Sequence, residues 1–321
     1  MSVCPGDHLR SCIPIKKATL KDIAKAAGVS VATVSYVLNN VANQTIPDET
    51  KCRVLDVAKQ LNYVPNLAAR SLVKQKSGLI GILINRVDNE GIWRQLRYAS
   101  FINRLERLLT DRGYHVVLSS LDAVSPKLDI ISERKLDGVL VVDVKQENFH
   151  LISSHFSVGV PLIVVDSIIE DSLFYKVNYD YEDAFAKARA SFLLEPGYAI
   201  IDSFNNAELA QSIRFSTGID PGLIHVMEDE EQLKRFLVRN AEKTGIVLNE
   251  LVGAIAAKYV NPSKLTVICT SDCPDILPAA VTRIQYDHRK SEESFQLMMK
   301  LLDNPMNGPE HKYIEIKASP D

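Results

Sequence analysis

Residues 18–40 read ATLKDIAKAAGVSVATVSYVLNN, residues 47–66 read PDETKCRVLDVAKQLNYVPN, and residues 67–81 read LAARSLVKQKSGLIG. Thr19, three positions ahead of Asp22, has the spacing of a capping box at a helix start. Leu20, Ile23, Ala24 and Ala27 then recur at helical spacing and give one narrow apolar stripe. Gly28, able to take positive φ, ends that helix. Ser30 caps a second helix running to about Asn39. Its Val34, Val37 and Leu38 face a core, while Val31, Ala32, Thr33, Ser35, Tyr36 and Asn39 lie outside or in the first turn. Pro47 and Asp48 open a third helix, with Val54, Leu55, Ala58 and Leu61 on its apolar face. A helix, a short turn and a second helix make a helix-turn-helix, which lays the first residues of its second helix against base edges. Small residues there let the backbone approach, hydroxyls and Asn donate to phosphates, and methyl groups touch thymine.

Any small helical domain with an Ala-Gly turn shares part of this pattern, and charge separates the two readings. Residues 15–77 hold ten Lys or Arg against four acids, a balance of +6. Residues 1–14 are neutral and the whole chain is −3, so residues 78–321 carry −9. A basic head on an acidic body is the electrostatic footprint of a nucleic-acid binder with a separate second domain.

The phrases TLKDIAKAAGVSVATVSYVLN and DETKCRVLDVAKQLNYVPNLAARSL closely resemble the lactose-repressor (LacI/GalR) family of bacterial transcription regulators. The resemblance implies a homodimer on a pseudo-palindromic double-stranded DNA operator. It implies base choice by Val31 and Ala32, phosphate contacts from Thr19, Thr33, Ser35, Asn39 and Thr50, and a hinge helix over Asn66–Val73 that folds on entering the minor groove. Leu72 matches the leucine that wedges between base pairs, Ala69 the small residue beside it, and Arg70 a phosphate contact. Tyr36 departs from the pattern: most members carry Arg there. A guanidinium grips guanine bidentately and a phenol does not, so the preferred base differs or Tyr36 packs on the backbone.

The body alternates apolar runs with helical patterns. Strands are expected at Leu79–Ile84, Val116–Leu118, Gly138–Val142, Leu162–Val165, Ala199–Ile201, Leu223–Val226, Gly245–Leu248 and Thr266–Cys269. Helices are expected near 93–112, 126–135, 147–156, 206–215, 229–240, 249–259 and 291–303. The whole is an N-terminal all-α headpiece with a hinge helix, followed by an α/β core of two doubly wound parallel sheets. That core is similar to the periplasmic-binding-protein-like core of the family. Expected boundaries are a disordered extension over 1–17, the DNA-binding domain over 18–64, the hinge and linker over 65–77, and an effector-binding and dimerisation core over 78–321.

In such sheets ligands sit beyond the carboxyl ends of the strands. That rule nominates Asn85 and Arg86, Asp143, Asp166, Asp202, Asn205 and Asn206, Asn249 and Glu250, and Ser271 and Asp272; Trp93 near the cleft mouth either stacks on a ligand ring or packs as a helix residue. Arg214 or Gln211 aligns with the family's ligand-gripping Arg. Amides and carboxylates around a cleft suit polyol hydroxyls, although Asp and Asn at strand ends are equally helix caps. Sugar-binding members have an Asn-Asp pair where this chain has Asn249-Glu250, and an aromatic-Asp-Asp phrase where it has Thr270-Ser271-Asp272. The usual sugar site is therefore remodelled or lost.

No Gly-rich phosphate loop, zinc-ribbon cysteine spacing or Ser-His-Asp ordering is present, so neither an enzyme nor a cofactor or metal is expected. Residues 1–14 lack the apolar core of a signal peptide, and no run has transmembrane length. The leading reading is a cytoplasmic, DNA-binding regulator, a repressor with a sugar-like small-molecule effector. One alternative is the same regulator with a core that binds no small ligand or answers a protein partner. A solute-binding protein on the same core is the more remote one.

Overall fold

The computed structural model describes residues 18–38, 46–63, 76–88, 90–128, 134–156 and 159–319. Contacts divide the chain into two units that meet between Gln75 and Lys76.

The first unit contains α1 (Leu20–Ala27), α2 (Val31–Leu38) and α3 (Asp48–Gln60). Thr19 and Asp22 form the reciprocal capping box, and Gly28 closes α1 at φ 66°. Ser30 Oγ accepts from the Thr33 N–H at 3.0 Å and so caps α2. Ile23, Ala24, Ala27, Val34, Val54 and Ala58 form the buried core, with Leu20, Val37 and Leu38 packed against it. Leu55 and Leu61, expected on the apolar face of α3, are instead exposed. Val57 and Tyr63 close the core in their place. Position 55 lies 100° around the helix from Val54 and turns toward solvent, whereas 54, 57 and 58 share one face.

The second unit contains two all-parallel sheets. Lobe 1 has β1 (Leu79–Arg86), β2 (His115–Asp122), β3 (Gly138–Val142), β4 (Leu162–Val165), β5 (Tyr175–Tyr179) and β11 (Tyr313–Ile316), in the order β11-β5-β4-β3-β1-β2. Lobe 2 has β6 (Tyr198–Ile201), β7 (Ile224–Val226), β8 (Gly245–Leu248), β9 (Leu265–Ile268) and β10 (Thr282–Ile284), in the order β10-β9-β8-β6-β7. The helices are α4 (Ile92–Leu96), α5 (Ala99–Asp111), α6 (Gln146–Ser154), α7 (Tyr181–Ala190), α8 (Ala207–Ser216), α9 (Glu230–Arg239), α10 (Glu250–Ala256) and α11 (Arg289–Asp303). The chain passes from lobe 1 to lobe 2 between β5 and α7, and returns between β10 and α11. Tyr179 and Tyr286 stack where the two passages meet, with ring centroids 3.9 Å apart.

Two expectations change. The helix expected over 93–112 is broken into α4 and α5 at Tyr98, whose φ −100° and ψ 4° leave the helical region. The helix expected near 126–135 lies partly outside the described residues, and residues 126–128, 134 and 135 are not helical. Strands β5, β10 and β11 and helix α7 were not expected. In β5, Lys176 and Asn178 interrupt the apolar run, yet both are buried with partners: Lys176 Nζ donates to the Asp171 carbonyl, and Asn178 exchanges hydrogen bonds with Ser167.

Gly28 has open space where a side chain would begin, so its left-handed backbone alone decides what it tolerates. Gly28→Ala is expected to cost the headpiece about 1 kcal/mol in chemical denaturation, and Gly28→Asn less, because Asn visits that region more readily.

Candidate nucleic-acid interface and interlobe cleft

Helix α2 contains no charged residue, and its outward side chains are Val31 and Tyr36, each about 40 % exposed, with Ala32 also exposed. Thr33 and Ser35 are half-buried. The Thr33 hydroxyl shares a 2.8 Å hydrogen bond with Ser30 across the first turn. Thr19 Oγ1 donates to Asp22 at 2.7 Å, and Thr50 is half-buried in the first turn of α3. Lys21, Lys25, Lys51, Arg53 and Lys59 are exposed around the same three helices and supply its positive charge. Asn39, Asn66, Ala69, Arg70 and Leu72 lie outside the described residues.

In the core, four of the nominated residues sit on left-handed backbone at strand ends: Asp143 (φ 52°), Asp166 (φ 49°), Asn249 (φ 82°) and Asp272 (φ 55°). Asp and Asn tolerate this region better than other non-Gly residues. Asn85 Nδ2 donates to the Val142 carbonyl at 3.0 Å, tying the ends of β1 and β3. Across the lobes, the Asn205 backbone N–H donates to Asp143 Oδ1 at 2.8 Å, and its Nδ2 donates to the Asn85 carbonyl at 3.0 Å. Asn206 caps α8 through Leu209, accepts from the Ile168 N–H, and donates to the carbonyls of Val144 and Ile168. Asn249 Nδ2 donates to Asp202 Oδ2 at 2.8 Å.

Sequence reasoning missed the centre of this network. Arg97 is buried at the α4–α5 break, with Nη2 2.7 Å from Asp202 of lobe 2 and Nη1 3.5 Å from Asp143 of lobe 1. Its Nη2 also donates to the Ser203 carbonyl, and its guanidinium lies 4.3 Å from the Phe204 ring centroid. Lys290, from α11, pairs with Asp166 at 2.6 Å and lies 4.0 Å from the Tyr179 ring centroid. A signal for Arg97 existed: Trp93, Arg97, Phe101, Leu105 and Leu109 fall every fourth position, so a lone charge stands on the apolar stripe.

Not every nominated residue joins. Trp93 is buried in the lobe 2 apolar cluster with Leu233, Val252 and Leu277. Arg214 is exposed on α8, as is Gln211. Asp272 Oδ1 accepts from the His288 backbone N–H at 3.2 Å, beside an open groove of about 440 Å³ that α5 also lines. Glu250 turns inward, and its carboxylate accepts from the N–H groups of Thr270, Ser271 and Cys273 at 2.8–3.1 Å. The acid that follows Asn249 thus holds the loop after β9.

Electrostatics follow burial. Burial pushes the Asp143 carboxyl up to about 7, against the pull of Arg97, the Asn205 N–H and Arg94. Burial also opposes charge on Arg97, but Asp202, Tyr98 and Asp143 outweigh it and hold the guanidinium well above its ordinary value. Arg97 lies closer to Asp202 than to Asp143, so the lobe 1 carboxyl is the less compensated. Burial and then Glu250 raise the thiols of Cys269 and Cys273, the latter to about 12, which removes them as nucleophiles. Among the described residues no group of three or more His, Cys, Asp or Glu is placed to hold a metal, and no helix is long and apolar enough to cross a membrane.

Residues 19–66 match the family model described as bacterial regulatory proteins, lacI family. Over 94 % of its length the chain is 27 % identical to the HTH-type transcriptional regulator RegA of Clostridium saccharobutylicum, covering 99 % of that protein. It is 32 % identical to catabolite control protein A of Staphylococcus aureus, over 56 % of this chain and about half (53 %) of that protein. Among solved structures, the lac repressor dimer bound to operator and the anti-inducer ONPF superposes with a TM-score of 0.72 at 16 % identity, covering 95 % of this chain and 97 % of that one. The transcriptional regulator CelR in complex with cellobiose gives a TM-score of 0.55, also at 16 % identity, with 94 % and 98 % covered.

The Asp143 carboxyl fixes a pH dependence. Unfolded, it releases its proton near 3.8; folded, it keeps the proton until about 7. Its share of stability should therefore fall between those values as pH rises, by up to about 1.4 kcal/mol per pH unit. Asp143→Asn should flatten that part of the stability profile measured by denaturation at successive pH values; an unchanged slope would assign the titration elsewhere.

Proposed function

We propose that this chain, a DNA-binding transcriptional regulator of the lacI family of bacterial regulatory proteins, acts as a cytoplasmic repressor that grips a pseudo-palindromic operator as a homodimer. The observation that carries the reading is the outer face of α2. It presents Val31, Ala32 and Tyr36 on a helix whose Val34 is fully buried, so their placement is fixed by a small core. Uncharged side chains there suit base edges and thymine methyls, and the surrounding lysines suit phosphates. Thr19, Thr33, Ser35 and Thr50 take the phosphate-contact roles, with Asn39 and Arg70. Leu72 is the minor-groove wedge, with Asn66 and Ala69 around it.

Control through the core takes one of two forms. In the first, a small polar molecule such as a sugar enters between the lobes, meets Asn85, Asp143, Asn205 and Asn249, and shifts the dimer between DNA-binding and released states. In the second, the core takes no small ligand, or answers a protein partner. The cleft favours the second, because Arg97 and the asparagines already engage Asp143, Asp202 and the Asn85 carbonyl, which a polyol would use.

Selection of bound DNA from a random pool by the full-length protein should enrich two half-sites related by a twofold, with affinity falling steeply as salt rises. Failure to enrich any sequence would sink the operator reading. Tyr36→Arg should move one base pair of each half-site toward guanine, with discrimination of about 1–3 kcal/mol. For the core, a sugar that raises the melting temperature in a saturable way would establish the first form, and a blank panel the second.

A further inference from the structure

The guanidinium of Arg97 occupies the position that a ligand takes in a two-lobed cleft. It lies beyond the carboxyl ends of β3 and β6 and meets a carboxylate from each: Asp143 after β3, and Asp202 after β6. The ring of Phe204 receives its face, and the Ser203 carbonyl accepts one of its N–H groups. Cation–π contact, bidentate donors and flanking carboxylates are the chemistry of a recognition site for a planar cation. Here the cation is covalently part of the chain.

We propose that Arg97 is the built-in ligand of this cleft, holding the two lobes closed without a small molecule, and that the chemistry able to replace it is a guanidinium cation and not a neutral polyol. The proposal rests on the second form of control given above. Three observations support it.

First, Arg97 is 4 % exposed, so its side chain uses the space itself. Second, a polyol entering there would have to displace the guanidinium and leave Asp143 and Asp202 buried without their counter-charge. That arrangement costs more than neutral hydroxyl contacts return. Third, the other buried cation at the cleft is spent within one lobe: Lys290 and Asp166 both belong to lobe 1. Other ties between the lobes are hydrogen bonds, from the Asn205 and Asn206 amides, from Arg94 to Asn205 Oδ1 and from Tyr179 Oη to the Thr270 carbonyl, and none of these pairs a cation with a carboxylate. The charged link across the lobes therefore falls to Arg97, and α4, which also sends Arg94 to Asn205 Oδ1 at 2.9 Å, is the strap that delivers it.

The test reads closure on the full-length protein without DNA, so its outcome is independent of whether an operator is found. Hydrogen exchange of peptides covering 203–206 and 166–168 reports the Asn205 N–H bond to Asp143 and the Ile168 N–H bond to Asn206, both made across the lobes. Wild type is expected to protect both segments with no ligand added. Arg97→Ala should lose that protection while peptides from β3 and β8 keep theirs, and millimolar guanidinium should restore it where sodium does not. Arg104→Ala, which breaks an exposed pair with Glu292 on α5 and α11, serves as the control and should change neither segment.

Protection in Arg97→Ala equal to wild type, or its loss without rescue by guanidinium, overturns the proposal. If Arg97→Ala loses protection in β3 and β8 as well, the wild type alone decides. Saturable extra protection of 203–206 by any neutral sugar overturns the proposal, and indifference to a sugar panel supports it. Once an operator is in hand, Arg97→Ala should shift its affinity by about 5- to 150-fold, the usual range for coupling between two sites. An affinity unchanged from wild type would separate closure from control and end the regulatory part of the claim.

Discussion

The core depends on one buried positive charge between two carboxylates that belong to different sheets. Taking a guanidinium and two carboxyl groups out of water is costly, and attraction at short range repays the cost only if geometry and additional hydrogen bonds are good. The structure shows how the repayment is arranged. Arg97 lies nearest Asp202 and more loosely against Asp143. Asn249 satisfies the second oxygen of Asp202, and the Asn205 N–H satisfies Asp143. Each amide in this network therefore has a definite task, and moving one lobe against the other would strand a charge. The closed arrangement of the lobes serves Asp143, Asp202 and the Arg97 Nη groups together.

Strand-end backbone is what makes that arrangement possible. The chain must turn sharply after each parallel strand, and after β3, β4, β8 and β9 the turn passes through left-handed φ at Asp143, Asp166, Asn249 and Asp272. Such conformations cost energy for ordinary residues and persist where the surroundings determine them. Asp and Asn lower the cost because a short polar side chain finds partners close by. The same residues therefore solve a turning problem and furnish the cleft. This is why the helix-cap and ligand readings of the sequence could not be separated: Asn249 does both, accepting from the Leu251 N–H and donating to Asp202.

Legibility differed sharply between the two units. In the headpiece the capping box, the Gly28 terminator and the Val34 anchor are local features, and local chemistry is written in consecutive residues. Only the α3 face was misjudged, because a stripe drawn through 54, 55, 58 and 61 is too wide for one buried side. In the core, strands such as Gly138–Val142 and Leu162–Val165 were legible as unbroken apolar runs. Strand β5 was not, since Lys176 and Asn178 look like surface residues until their partners are known. Arg97 was hidden for a related reason. Its place on an apolar stripe marks it as buried, but its meaning comes from Asp202, more than a hundred positions away.

Glu250 sharpens what the departure from the sugar-binding pattern means. A shorter acid at that position would leave its carboxylate closer to the cleft. The longer side chain reaches the loop after β9 and takes the N–H groups of Thr270, Ser271 and Cys273. Three donors on one buried carboxylate fix that loop and engage both oxygens of the acid. The loop so fixed presents Ser271 and Asp272 beside α5 and not toward Arg97. Glu250 bound to the loop after β9 and Arg97 bound between Asp143 and Asp202 both fill polar groups from within the chain. The carboxylates that remain free to face the space between the lobes, Asp143 and Asp202, are the two that Arg97 holds.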